Sequence, residues 1–300
     1  MAVSATSLFL EVAIAGLMTG GLYGLIALGM TLIFGVMHVI NFAHGDFMMI
    51  AMYVSFFMFR YLGVDPLLGI FAPIAVMAAV AFVVERYLLR LSRGRGQLIL
   101  GGKDLTGLLI LVGVSMMLEN GAQAAFSANY LTLTVSYSNA TIRTGGVTVS
   151  VPYLVAFVCA IVIMVMLYLF LGRTDLGRAI RATATNRDAA SLMGINVDRI
   201  NLVVWIIGLM LVGTAGALMS LVFYIYPTVG INFTIKAFIV TVLGGIGSPI
   251  GAVVGAMILG LAESFTAYYW ITGYTNAVGL VIFIVILVVR PRGIFGRSTV

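Results

Sequence analysis

Two apolar runs, residues 152–171 and 201–223, enclose the polar stretch GRTDLGRAIRATATNRDAASLMGINVDRI, which occupies residues 172–200. The stretch carries five arginines and three aspartates. Charged groups at this density are too costly to place in hydrocarbon, so the stretch must project into water on one side of a membrane. Its length and helical spacing indicate an ordered surface that another protein grips, because a slack connector needs neither.

The composition of the whole chain agrees with a membrane protein. Of its 300 residues, 62% are hydrophobic and 9% are charged, whereas charged residues make up about a quarter of a typical soluble protein. About 20 apolar residues in a helix cross a hydrocarbon core roughly 30 Å thick. The runs show no alternation of polar and apolar residues, so helices and not barrel strands carry the crossings. We therefore predict an all-α, polytopic membrane protein with one transmembrane domain over residues 1–300.

The number of crossings follows from the apolar runs. They lie at about 8–36, 47–62, 67–84, 105–126, 152–171, 201–223, 234–243, 250–268 and 276–289. The seventh run has about ten residues, too few to span a membrane at 1.5 Å per residue. It forms either a crossing or, with its neighbour, a re-entrant pair. We expect 8 to 10 transmembrane helices, some of them broken or re-entrant.

Basic residues predict the orientation. Thirteen of the sixteen lie in three segments: Arg86, Arg90, Arg93, Arg95 and Lys103; Arg173, Arg178, Arg181, Arg187 and Arg199; Arg290, Arg292 and Arg297. Nine crossings with the N-terminus outside place all three segments on the inner side, as the positive-inside rule requires. The C-terminus is then cytoplasmic. We expect the chain as a whole to cross the inner (plasma) membrane several times. Because these residues border apolar runs and lack interleaved aromatics, we expect lipid and no nucleic acid as partner.

In this orientation, the N-terminal flank of the first run and the segment 127–151 lie on the outer side. The first apolar run has no preceding cationic residue, so we expect a retained helix and not a cleaved signal peptide. Residues 127–151 alternate Thr and Ser with apolar residues around Thr144-Gly145-Gly146. This pattern predicts a short hairpin in an extracytoplasmic loop.

A polar segment, HVINFAHGD at residues 38–46, interrupts the apolar sequence between the first two runs. An aspartate at the bilayer centre costs about 2.5 to 3.5 kcal/mol. The segment is either a loop at the inner surface or a broken helix that lines a water-filled path. We favour the second interpretation, which makes Asn41, His44 and Asp46 candidate residues of a translocation path.

A second interruption, LGGIGSPIG at residues 243–251, joins the seventh and eighth runs. Pro249 withholds an amide and glycine permits close backbone approach, so the helix must break there. Broken helices in transporters commonly border the substrate path, which makes Gly244, Gly245 and Gly247 further candidates. The alternative is an ordinary tight turn. Nearby, Lys236 and Glu263 are predicted to form an ion pair between the seventh and eighth runs.

Two segments resemble cofactor-binding or metal-binding motifs, but neither has the residues that such a motif requires. Residues 96–104 resemble a phosphate loop, but one residue too many precedes Lys103, and Asp104 stands where Ser or Thr must reach Mg²⁺. His38 and His44 are six residues apart and do not share a helical face, so a zinc site is not expected. No nucleophile constellation is visible. We expect no cofactor or metal on this chain and no enzymatic activity.

A family resemblance starts in the polar stretch. Asp188-Ala189-Ala190-Ser191-Leu192-Met193-Gly194 resembles, with Asp for Glu, the Glu-Ala-Ala-x-x-x-Gly coupling motif of ABC importer permeases. The chain as a whole is similar to the branched-chain amino acid permease family of LivH type. The other motifs that fit the family are Gly21-Leu22-Tyr23-Gly24-Leu25, residues 29–35, Ile40-Asn41-Phe42-Ala43-His44-Gly45, Ala215-Gly216-Ala217, Pro227-x-x-Gly230, Lys236-Ala237-Phe238, residues 243–248 and Arg290-Pro291-Arg292-Gly293-Ile294.

The resemblance implies one permease subunit of an importer. The expected partners are a second homologous permease subunit, two ATP-binding subunits that use ATP and Mg, and an extracytoplasmic binding protein that delivers an amino acid. Asp188, Ala189, Ala190 and Gly194 are the expected coupling residues. The chain departs from the commoner pattern at Asp46, where Glu is expected.

Alternative functions stay open at this point. The substrate is a branched-chain amino acid or, as alternatives, another amino acid, an amide or urea. A stand-alone secondary transporter would carry acids at the midplane of several helices, whereas only Asp46 is expected at depth. An intramembrane enzyme would need a catalytic constellation.

Overall fold

The computed structural model describes residues 5–89, 103–144, 146–270 and 272–296. Its helices are α1 (Ala5–Met37), α2 (His44–Leu62), α3 (Phe71–Val83), α4 (Lys103–Phe126), α5 (Val151–Arg173), α6 (Asp175–Thr185), α7 (Arg187–Leu192), α8 (Val197–Met219), α9 (Val229–Gly244), α10 (Pro249–Tyr269) and α11 (Thr275–Val289). A π-helix, Val84–Leu89, continues α3, and strands β1 (Thr141–Thr144) and β2 (Val147–Ser150) form a hairpin. Predictions for residues 96–102, Arg90, Arg93, Arg95, Gly145 and Arg297 lie outside the described residues.

Each predicted apolar run corresponds to a helix, and the expected all-α membrane fold is confirmed. Among the described residues, six helices are long and apolar enough to cross a membrane. They are α1, α3 with its π-helical extension, α4, α5, α8 and α10. The seventh run is longer than its sequence suggested, because α9 starts at Val229 and has 16 residues. At about 24 Å, α9 is still shorter than a hydrocarbon core.

Helix α1 forms the centre of the molecule. Of its most apolar stretch, 89% is buried inside the chain, and it packs against α5, α8, α9 and α10. Gly20 explains how α10 comes so close, since a Cβ at this position would lie 2.7 Å from the carbonyl oxygen of Ala256. Small residues at helix contacts allow such backbone approach in membrane proteins.

Residues 127–151 contain the predicted hairpin. Strands β1 and β2 pair antiparallel, with Thr144 opposite Val147. Before the hairpin, the hydroxyl of Tyr137 donates a hydrogen bond of 3.0 Å to Asp65 Oδ1 in the α2–α3 connection. Burial, followed by this hydrogen bond, raises the pKa of Tyr137 above its usual value. The loop is therefore tied to the body of the protein.

The polar stretch at residues 172–200 is ordered as two helices, α6 and α7, followed by the start of α8. Each of these helices has a side-chain cap at its N-terminus. Thr174 Oγ1 accepts from Gly177 N at 3.0 Å, Asn186 Oδ1 from Ala189 N at 2.9 Å, and Asn196 Oδ1 from Arg199 N at 3.0 Å. Three successive caps in a charged segment explain why it folds into short helices.

Candidate functional site

The first helix break lies beside the middle of α1. Helix α1 ends at Met37 and α2 begins at His44, whose Nε2 is 2.9 Å from the carbonyl oxygen of Ile26. Ile26 precedes the end of α1 by eleven residues, or about 16 Å. The connection therefore turns back alongside α1, and α2 starts within the length of α1. Of the two interpretations of residues 38–46, this geometry favours a break inside the protein over a loop at its surface.

The predicted polar residues of this break are buried. Asn41 and His44 are fully inaccessible, and Asp46 is 2% exposed. Because His44 Nε2 faces a carbonyl, it must carry the proton, which leaves Nδ1 to accept from the Asn41 amide at 3.4 Å. Asn41 Oδ1 has no hydrogen-bond partner among the described residues. A buried amide oxygen without a partner costs free energy unless another group binds it.

Two other helices close around Asp46. Ser115 Oγ of α4 donates a hydrogen bond of 2.5 Å to Asp46 Oδ2. At the start of α9, a Cβ on Gly230 would lie 2.2 Å from Asp46 Oδ1. The amide of Gly45 donates to Thr234 Oγ1 at 2.8 Å. The N-terminal ends of α2 and α9 thus meet in the interior, which is the arrangement of broken helices at transporter substrate sites.

The predicted pair of Lys236 and Glu263 is confirmed. Lys236 Nζ lies 2.5 and 2.6 Å from the two carboxylate oxygens of Glu263. Tyr23 completes the cluster, since its hydroxyl donates to Glu263 Oε2 at 2.9 Å and accepts from Lys236 Nζ at 3.1 Å. The side chains of Lys236 and Glu263 are only 13% and 9% exposed. The cluster links α1, α9 and α10 inside the protein.

The second break brings backbones together. A Cβ on Gly244 would lie 2.2 Å from the carbonyl carbon of Gly251, and one on Gly245 would lie 2.6 Å from the amide nitrogen of Gly296. Gly245 and Gly247 have φ angles of 101° and 78°, which favour glycine. The space beside Gly244 and Gly245 is filled by the chain's own backbone. Their place on a translocation path, like that of Gly247, Asn41, His44 and Asp46, stays a prediction.

Residues 294 and 295, near the C-terminus, pack against the second break at the end of α9. The amides of Ile294 and Phe295 donate to the carbonyl oxygens of Leu243 and Gly244 at 2.9 and 3.0 Å. These carbonyls end α9 and have no partner within the helix. The tail therefore caps α9, an interaction that the sequence alone did not suggest.

The predicted coupling residues lie on and after α7. Asp188 and Ala189 are exposed, whereas Ala190 is 4% exposed and faces the chain's own interior. Gly194 has a φ of 85°, and the amide of Ile195 donates to the carbonyl of Ala190 at 3.0 Å. Gly194 therefore turns the chain sharply after α7, in a backbone conformation that favours glycine. Of the two alanines, only Ala189 is available to a partner in this conformation.

Sequence reasoning missed two apolar residues at the tip of this loop. Leu192 and Met193 are 89% and 83% exposed. Large apolar side chains at this exposure, surrounded by charged residues, are typical of a surface that another protein covers. The signal was available, because Leu-Met is the one pair of adjacent large apolar residues between Arg178 and Asp198. No sequence signal pointed to Ser115, which is 69 residues from Asp46.

Comparison with known proteins extends over almost the whole chain. A family model described as "Branched-chain amino acid transport system / permease component" matches residues 12–289. The high-affinity branched-chain amino acid transport system permease protein LivH of Escherichia coli is 33% identical over 306 residues, 97% of either chain. BraD of Pseudomonas aeruginosa, described in the same words, is 33% identical over 305 residues, again 97% of either chain.

More distant proteins are also similar. A probable branched-chain amino acid transport permease protein LivH of Methanocaldococcus jannaschii is 30% identical over 283 residues, covering 91% of this chain and 88% of that one. Among solved structures, PsaBC from Streptococcus pneumoniae in complex with Fab has a TM-score of 0.47 at 11% identity, over 94% of this chain and 93% of that one. The chain belongs to the permease-component family of branched-chain amino acid transport systems.

Proposed function

We propose that the chain is a membrane-spanning permease subunit of an ATP-driven ABC importer that moves branched-chain amino acids across the inner membrane. The observation that carries the proposal is the likeness, over residues 12–289, to permease components of branched-chain amino acid transport. The N-terminus lies outside and the C-terminus in the cytoplasm. This orientation puts the arginines of residues 172–200 on the inner side.

The partners divide the work of transport. Two ATP-binding subunits hold ATP and Mg and hydrolyse the nucleotide, a second homologous permease subunit completes the path, and an extracytoplasmic binding protein delivers the amino acid. The tip of α7 is the contact for an ATP-binding subunit. There Leu192 and Met193 supply apolar contact area, Asp188 and Ala189 flank it, Ala190 packs the helix inward, and Gly194 turns the chain.

Movement of this loop reaches the membrane helices through α6. Helix α6 packs against α1, α5 and α8, and a Cβ on Gly177 would lie 2.4 Å from the carbonyl oxygen of Leu171. Because there is no room even for a methyl group between the start of α6 and the end of α5, a displacement of α6 shifts α5 with it. Closure of the ATP-binding subunits thus biases the helices between outward-open and inward-open packing.

The break near Asp46 serves the passing substrate. An amino acid carries an ammonium and a carboxylate that lose water in the path, and each needs a hydrogen-bond partner there. Asn41 Oδ1 is an acceptor that is buried without a partner, and His44 and Asp46 lie beside it in the same break. Gly244, Gly245 and Gly247 let the backbones at the second break separate and repack as the helices move.

Reconstituted transport tests the proposal. The complete transporter is placed in proteoliposomes with its binding protein, and uptake of labelled leucine, isoleucine, valine, glutamine, amides and urea is measured. We expect uptake of the branched-chain amino acids that requires ATP hydrolysis. Uptake driven by a proton or sodium gradient without ATP would instead indicate a secondary transporter, and preference for urea or amides would overturn the proposed substrate.

A variant at the tip of α7 tests the coupling contact. We expect Leu192→Asp to lower ATP-driven uptake at least about tenfold, because an unpaired carboxylate buried in an apolar contact costs more than the ~1.4 kcal/mol that corresponds to tenfold. The matched control is Leu68→Asp, an exposed leucine outside residues 172–200, at 76% exposure. Equal effects of the two variants on uptake would contradict a specific contact at α7.

A further inference from the structure

Helices α4 and α5 both present an exposed side, but the two sides differ in chemistry. Only 11% of the most apolar stretch of α4 is buried inside the chain, against 28% for α5. The large exposed side chains along the middle of α5 are apolar. They are Val158, Val162, Val165, Met166 and Leu169; Tyr168 is exposed as well, five residues before the end of α5 at Arg173, and its hydroxyl can reach the membrane surface from there. Such a surface is compatible with lipid, so α5 needs no protein partner on this side.

The exposed side of α4 carries an amide and glycines. Gly113, Met117, Asn120 and Ala124 follow the spacing of one helical face, and all four are exposed. Asn120 lies six residues, or roughly 9 Å, inside the end of the helix at Phe126. Its Nδ2 donates to the carbonyl oxygen of Met116 at 2.7 Å. An exposed amide at this depth is costly in lipid and calls for a polar neighbour.

The glycine of this face leaves room for another helix. A Cβ added at Gly113 would meet nothing within 4 Å, and the same holds at Gly121 one turn beyond Met117. By contrast, Cβ atoms at Gly16 and Gly20 of α1 would collide with α10. The glycines of α1 are therefore already used for helix packing within the chain, whereas Gly113 and Gly121 are unoccupied contact positions of the same kind.

Helix α4 also borders the first helix break. Ser115 donates to Asp46 at 2.5 Å, and Glu119, one turn further along α4, interacts electrostatically with Asp46. A partner that covers the exposed side of α4 would therefore stand next to the break with only one helix between them. In an importer whose path runs between two permease subunits, a second subunit on this side of α4 would bring that path next to the break.

We propose that the α4 face of Gly113, Met117, Asn120 and Ala124 packs against the second permease subunit. The partner of this face is a membrane helix of that subunit. It carries a polar group that pairs with Asn120, and its backbone approaches Gly113. This inference rests on the proposed function, which requires a second permease subunit. It adds the location of that interface.

Photo-crosslinking in membranes tests the position of the interface. In membranes that contain the complete transporter, a photo-reactive benzoylphenylalanine replaces Asn120 on α4 or Val162 on α5, and a separate Asn120→Cys variant in a Cys159→Ala background reports access of water. After irradiation, we expect the α4 variant to give an adduct with a permease subunit, identified by mass spectrometry, and the α5 variant to give none. Overturning results are adducts with lipid alone from both positions, or modification of Asn120→Cys by a membrane-impermeant thiol reagent, which would show water on this face.

Co-purification gives a second, independent readout. We expect Gly113→Leu to reduce recovery of the second permease subunit by about tenfold or more, with the amount of this chain in the membrane unchanged, while Val162→Leu leaves recovery unchanged. Uptake by the unmodified transporter is measured in parallel. If the unmodified transporter shows no ATP-driven uptake, the proposed function fails; if uptake is intact but recovery and crosslinking are unaffected by α4, only the interface is overturned.

Discussion

The polar side chains of the buried interior and those of the polar loop have opposite environments: the first are hydrogen-bonded inside the chain, and the second are exposed to water. The buried polar interior comprises the break at Asn41, His44 and Asp46 and the pair of Lys236 and Glu263, and nearly all its polar atoms bond within the chain. The loop, residues 172–200, keeps its charged side chains in water and leaves Leu192 and Met193 exposed.

This difference indicates that the interior groups hold the fold together, whereas the exposed apolar residues of the loop are available to a partner protein. A polar group in an apolar interior is costly unless it is hydrogen-bonded, and apart from Asn41 Oδ1 the groups of this interior that the structure describes find their partners within the chain. An apolar group on a water-facing loop is tolerated at lower cost and is covered only when a partner binds. Changes to the Lys236–Glu263 pair or to the close packing in the interior should therefore lower stability, whereas changes to the loop should lower transport and leave stability almost unchanged.

The largest expected effect is at Lys236. Lys236→Met leaves the charge of Glu263 buried without its partner, and we expect a loss of about 3 to 5 kcal/mol in unfolding free energy. Thermal unfolding of the purified protein in detergent measures it. The double variant Lys236→Met with Glu263→Met removes both charges and should recover most of the loss. A double variant as unstable as the single one would show that the pair itself, and not the orphaned charge, stabilises the fold.

The next effect concerns close packing in the interior. A Cβ on Gly45 would lie 1.9 Å from the carbonyl oxygen of Gly230, so Gly45→Ala must push α2 away from α9, at a cost of about 1 to 3 kcal/mol or more. Gly172→Ala is the matched control at the edge of the loop, where an added Cβ meets nothing within 4 Å. The same unfolding measurement should show a change within about 0.5 kcal/mol for the control. Similar losses for both variants would erase the contrast between the two regions.

A smaller and more local effect is expected at Gly194. Its φ of 85° costs an alanine about 1 to 2 kcal/mol, although the space around it is open. Gly194→Ala should lower ATP-driven uptake while the basal ATP hydrolysis of the complex stays the same, and the strain should be released by local opening of the loop without a large change in the unfolding temperature. Asn tolerates this backbone conformation, so Gly194→Asn should retain more uptake than the alanine variant. Normal uptake by a Gly194 variant with a bulky side chain would remove the turn from the coupling mechanism.

The smallest expected effect is at the cap of α7. Asn186 Oδ1 accepts from Ala189 N at 2.9 Å, and Asn186→Ala should destabilise this helix by about 1 kcal/mol. Faster amide hydrogen exchange at Ala189 and Ala190 would report the fraying, with no change in global unfolding. Asn186→Asp keeps the acceptor and should exchange like the unmodified protein. If global stability also fell, the loop would be part of the folding core, against the division drawn above.

Much of the fold was predictable because membrane insertion depends on local properties. Each apolar run became a helix, the hairpin at residues 141–150 was expected from its alternation, and Pro249 with Gly244 and Gly245 indicated the second break. The pair of Lys236 and Glu263 was also predictable, since a charge in an apolar run needs a partner and few were available. Helix ends were less accurate, as the start of α9 at Val229 shows.

The candidate site was predictable only in part. The residue types Asn41, His44 and Asp46 marked the first break, and Gly194 marked the turn after α7. Ser115 was not predictable as the partner of Asp46, because a serine in an apolar helix has no distinguishing signal of its own. Ala190 could not be distinguished from Ala189 by composition, and only the direction of α7 relative to the rest of the chain turned one inward and left the other exposed.

The sequence by itself determined the helices, the polar loop and the family, because transfer of side chains between water and lipid is nearly additive along the chain, and its basic residues predict the orientation. Only the tertiary structure decided which helices meet: α2 with α9 at Gly45, α4 with the break at Ser115, and the tail with the end of α9 at Leu243. These contacts depend on shape and on backbone approach within fractions of an ångström, and such complementarity arises only when all the helices are packed together.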